Sequence, residues 1–77
     1  MTLYEFTALT EEQQFNSIWN LGTHIDTHIK ENIAINLYSI NEFYVEVYYD
    51  RDANKIIDKK TFKQGALLDK YLNRINL

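Results

Sequence analysis

The sequence predicts an α+β domain: a four-stranded antiparallel sheet, strand order 1-2-3-4, with N- and C-terminal helices packed on one face. Three observations lead there. Phe43-Tyr44-Val45-Glu46-Val47-Tyr48-Tyr49-Asp50 alternates strictly between two chemically different sides, the pattern of a half-buried strand. Two further alternating runs, Thr23 to Ile29 and Ile33 to Ser39, precede it at hairpin spacing. Apolar residues at helical spacing occur before the strands and again after them, and such stripes need a sheet face to bury against.

Taken in order, Thr2-Leu3-Tyr4-Glu5 has the form of a capping box, with Leu3 and Phe6 on the apolar side of a short helical turn. Thr10-Glu11-Glu12-Gln13 repeats the signal, placing two carboxylates where the helix dipole favours them. Phe15, Ile18, Trp19 and Gly22 fall at i, i+3, i+4 and i+7, so a helix of about three turns should end at Gly22 and set Trp19 in the helix–sheet core. Three-residue loops at 30–32 and 40–42 would pair Ile29 with Ile33 and Leu37 with Val45. Odd-numbered residues from Thr23 to Tyr49 then make one apolar face, with Val47 at its centre. Asp50-Arg51-Asp52-Ala53-Asn54 is rich in turn formers, and Lys55 to Lys63 reads as a weaker fourth strand. Leu68, Tyr71, Leu72 and Ile75 predict the C-terminal helix, with Lys70 and Arg74 near its end.

The 77 residues make a single domain, 1–77, small enough that each core side chain matters. The absence of cysteine excludes disulfides, thiolate metal sites and a cysteine nucleophile. No apolar run reaches the roughly 18 residues that a bilayer span needs, and no signal peptide is visible at the N-terminus. The expectation is a cytoplasmic protein without a membrane partner. A net charge of −3 argues against a nucleic-acid partner, since the one dense basic cluster (Lys55, Lys59, Lys60, Lys63) is diluted by Asp58.

Two segments carry a resemblance: Phe43-Tyr44-Val45-Glu46-Val47-Tyr48-Tyr49-Asp50 and Leu67-Leu68-Asp69-Lys70-Tyr71-Leu72. Together they resemble a group of small uncharacterised bacterial proteins with an N-terminal helix, a "FYVEV-YD" strand and a C-terminal "LD-YL" helix. The resemblance implies a bacterial cytoplasmic context and no particular activity.

Chemistry is sparse. His24-x-Asp26-x-His28 places three metal-ligand types on one strand face, but His24 and His28 would lie roughly 13 Å apart on a straight strand. A zinc shell would therefore need a donor from a neighbouring strand, with Glu46 or Tyr38 in reach. A polar, solvated strand face explains the same residues without a metal. Asp50, Asp52, Asn54 and Asp58 mimic a calcium loop, yet Lys55 and Thr61 stand where its glycine and final glutamate belong. No serine, glycine or carboxylate motif marks a catalytic site or calls for a cofactor. The even-numbered face gathers Tyr38, Tyr44, Tyr48, Glu46, His24 and His28, a composition typical of interface cores. The function expected is a protein–protein interaction module acting through that face, with a homodimer as one form. Two alternatives are an acidic inhibitor of a host enzyme or defence complex encoded by a mobile element, and a metal-dependent enzyme using His24, Asp26 and His28.

Overall fold

The computed structural model describes residues 1–63. The chain runs α1 (Leu3–Thr7), α2 (Glu11–Leu21), β1 (Thr23–Lys30), β2 (Ile33–Ile40), β3 (Phe43–Asp50) and β4 (Lys55–Lys63). The strands form one antiparallel sheet in the order β1-β2-β3-β4. The C-terminal helix expected around Leu68, Tyr71, Leu72 and Ile75 lies outside the described residues.

Both helices start as their sequences direct. The Thr2 amide donates to Glu5 Oε1 (2.8 Å) while the Glu5 amide donates to Thr2 Oγ1 (3.1 Å). The Thr2 amide first, and with it the Thr2 hydroxyl, donate to the Glu5 carboxyl and hold it below its ordinary range. Thr10 and Gln13 close an equivalent box on α2. At the other end Gly22 is the C-cap, in extended rather than left-handed backbone (φ −77°, ψ 146°). What requires glycine there is space, because a Cβ would sit 2.5 Å from the Ile18 carbonyl oxygen and 3.5 Å from Tyr38 Cβ.

The register differs from the expected one by one residue. The turns hold two residues, so Lys30 faces Ile33, and Ile40 faces Phe43. Leu37 is consequently opposite Glu46 rather than Val45, and Ile29 is opposite Ala34 rather than Ile33. Glu31 and Asn41 adopt positive φ (57° and 50°), the backbone state that lets a turn close in two residues. The slip is tolerated because β2 is apolar on both sides: Ile33, Ile35 and Leu37 on one, Ala34, Tyr38 and Ile40 on the other. Its alternation therefore cannot select a register by itself. Bulges complete the departure, leaving Ile25 unpaired between His24 and Asp26, and Ile57 unpaired opposite the Tyr48/Tyr49 step.

Pairing defines two faces. The valine face carries Thr27 and Ile29 from β1, Ala34, Asn36, Tyr38 and Ile40 from β2, and Phe43, Val45, Val47 and Tyr49 from β3. The tyrosine face carries Asp26, His28, Ile35, Leu37, Tyr44, Glu46, Tyr48 and Phe62. Phe6, Ile18, Ile40, Phe43, Val45 and Val47 form the main buried cluster, edged by Met1, Leu3, Phe15 and Tyr38. The Phe6 and Phe43 rings stand 5.2 Å apart. Trp19 is not in this core. It is 50 % exposed, stacked at 6.0 Å on Phe15 and edge-on to Tyr38 at 5.7 Å, because Ile18 is the stripe residue that points into the cluster.

Candidate functional site

The six residues expected to form one interaction surface divide between the two faces. Tyr44, Tyr48, Glu46 and His28 lie on the tyrosine face, while Tyr38 lies on the valine face with His24 paired to it. The one-residue register difference separates Tyr38 from Tyr44, and the bulge at Ile25 turns His24 away from Asp26 and His28.

The centre of the tyrosine face is shielded from water. Leu37 is 4 % exposed, with Tyr44 and Phe62 packed against it, and Glu46 is 2 % exposed. A buried carboxylate is costly unless it is bonded. Here the Tyr48 hydroxyl donates to Glu46 Oε1 at 2.9 Å. Burial first, then this bond and the charges of Glu46 and Asp58, push the Tyr48 hydroxyl up to about 12. Lys60, opposite Glu46 on the neighbouring strand β4, holds its ammonium 5.2 Å from the Tyr48 ring. Glu46 thus belongs to a buried polar cluster, a role its place among exposed-looking even positions concealed.

His24-x-Asp26-x-His28 does not assemble as a ligand set. His24 lies across the bulge from the other two and has its own partners. Thr27 donates its hydroxyl proton to Asn36 Oδ1 (2.8 Å), so His24 Nε2, 2.7 Å away, is the donor to Thr27 Oγ1. The His24 ring also stands edge-on to Tyr38 at 5.5 Å. Phe15, Trp19, Tyr38 and His24 thereby form a continuous aromatic ladder from α2 to β1. Asp50, read as a calcium mimic, instead accepts the amides of Asp52 and Ala53 on one oxygen and so builds its turn.

The ladder ends at the feature the sequence reading passed over, the outer edge of β1. In a two-residue hairpin the closing pair exchanges both main-chain bonds, and bonded pairs alternate from there. Lys30, His28 and Asp26 therefore bond to β2, while Thr27 and Ile29 turn N–H and C=O outward. Among the described residues no strand pairs with that edge. Its apolar side chains are open as well, with Ile25 50 % and Ile29 53 % exposed. The opposite edge is different. β4 exposes Ile56 and Ile57 as well, and both edges carry a bulge, but β4 has four lysines in nine residues where β1 has one in eight, a usual defence of an edge strand against pairing.

One cleft of about 230 Å³ lies between α2 and β4, lined by Glu11, Phe15, Ile56, Ile57, Asp58 and Lys59. Lys59 there lies 5.4 Å from the Phe15 ring, and no nucleophile–base pair faces the cleft. No helix among the described residues is long and apolar enough to cross a membrane. No family model, no curated protein and no solved structure matches the chain.

Proposed function

We propose that this chain is a small cytoplasmic protein–protein interaction module that takes an extended segment of a partner as an added strand along β1. In this reading the N-terminal helices sit on the valine face and brace β2 and β3, leaving β1 as the exposed rim. Main-chain groups of Thr27 and Ile29 supply the affinity of strand addition, and the flanking side chains supply selectivity. The observation that carries the reading is the contrast in charge between the two edges: both expose isoleucines, Ile25 and Ile29 on β1 and Ile56 and Ile57 on β4, but β4 carries four lysines and β1 only Lys30 at its end. The tyrosine-rich face fits a docking role less well, since its central Leu37 and Glu46 are already buried. The metal-enzyme alternative is not favoured, because the bulge parts His24 from Asp26 and His28.

The test is amide mapping by NMR with a panel of extended peptides of alternating apolar and polar residues. Bound peptides are expected to slow exchange at Thr27 and Ile29, and Ile29→Pro, which deletes one outward N–H at an edge position that tolerates proline, should abolish binding. Equal binding by Ile29→Pro, or perturbation confined to Tyr44 and Tyr48, would overturn the reading.

A further inference from the structure

We infer that the strand added along β1 is β1 of a second copy of this chain, giving a two-fold dimer with a continuous eight-stranded sheet. The inference rests on the strand-addition reading and names its partner. Its ground is that β1 is complementary to itself in one antiparallel register. A two-fold axis through Thr27 sets Thr27 against Thr27 of the second copy, with their outward N–H and C=O groups reciprocally bonded. The same register sets Asp26 against His28 of the second copy, twice by symmetry, and Ile25 against Ile29, twice by symmetry. Threonine–threonine, carboxylate–imidazole and apolar–apolar pairs are all favourable directly opposite one another.

Sliding the copies by two residues removes this agreement. One direction sets Asp26 against Asp26, with like charges face to face. The other sets His28 against His28 and shortens the ladder. Slides by one residue fail for a different reason, because they oppose outward-facing groups of one strand to inward-facing groups of the other. The centred register also joins the two valine faces edge to edge. Ile29 and Ile25, each half exposed in the single chain, then lie against one another across the seam.

Sedimentation equilibrium of the full chain, from micromolar to millimolar concentration, reads the outcome. The wild type is expected to move from monomer to dimer mass, and Ile29→Pro to remain monomeric with unchanged circular dichroism. His28→Asp should weaken the dimer by about tenfold or more, since it opposes a second carboxylate to Asp26. The exchanged variant, Asp26→His with His28→Asp, should recover it, because each carboxylate again meets an imidazole. A wild type that stays monomeric would overturn the second copy as occupant, while the peptide experiment separately decides whether β1 accepts a strand at all. A dimer undiminished in Ile29→Pro would place self-association on another surface and also overturn the inference. An exchanged variant as weak as His28→Asp would overturn the register. Should Ile29→Pro unfold, amide exchange in the wild type gives the same answer: protection at Thr27 and Ile29 must rise with concentration, and protection that does not change is a negative result.

Discussion

At the scale of single residues the most informative side chain is Glu46, a carboxylate buried within a strand and bonded to Tyr48. The bond makes Tyr48 more than an interface-type aromatic. Its hydroxyl is raised to about 12, above the value near 10 expected of an unfolded chain. A group raised in the folded state contributes stability that is fully present below the unfolded pKa and is lost as pH climbs through the folded one. The Tyr48 contribution should therefore hold to about pH 10 and disappear between about 10 and 12. Tyr48→Phe removes the donor and leaves the carboxylate one bond poorer, a cost of about 1–3 kcal/mol at neutral pH. Urea unfolding of both proteins at rising pH should show the gap between them narrowing through the alkaline range. A constant gap would mean that the hydroxyl does not serve Glu46. None of this was legible at residue level, since an alternating strand marks Glu46 as outward and says nothing of what lies over it.

At the scale of elements the sequence was most readable where a signal is local. Both capping boxes stand where Thr2/Glu5 and Thr10/Gln13 predict, because each is complete within four residues. The four strands and their order follow from alternation and short connections. Register was not readable, because it depends on whether Glu31 and Asn41 accept positive φ, and glutamate gives little sign that it will. The α2 stripe shows the same limit. Helical periodicity names Phe15, Ile18 and Trp19 as one face, yet only Ile18 is fully buried, and Trp19 lies at the margin against Tyr38. Truncation should rank them accordingly. Ile18→Ala opens a cavity in the main cluster and should cost about 2–5 kcal/mol. Trp19→Ala loses partial burial and two ring contacts, about 1–2 kcal/mol. Thermal melts of the two variants provide the check, and a Trp19→Ala protein less stable than Ile18→Ala would show that α2 is rotated from its described seat.

At the scale of the whole molecule the sheet is apolar on both faces, and its exposed positions lie at its rim. The main cluster on the valine face and the smaller one of Leu37, Tyr44 and Phe62 on the tyrosine face sit back to back through β2 and β3. Edge strand β1 shares in neither, and this inequality between centre and rim is what makes an edge the candidate site rather than a face. The sequence held the ingredients, with isoleucines on both sides of β2, but a half-buried strand and a fully buried one differ only in what covers the second side. Two aliphatic truncations separate centre from rim. Leu37, 4 % exposed, has neighbours on all sides, so Leu37→Ala should cost about 2–4 kcal/mol in transfer and cavity terms. Ile29, 53 % exposed on the same sheet, already contacts water, so Ile29→Ala should stay within about 1 kcal/mol of wild type when measured dilute enough to keep the chain monomeric. Chemical denaturation of both variants at low protein concentration decides it. Similar costs for the two would mean that the tyrosine face is as open as the β1 rim, and the argument for the edge over the face would fail with it.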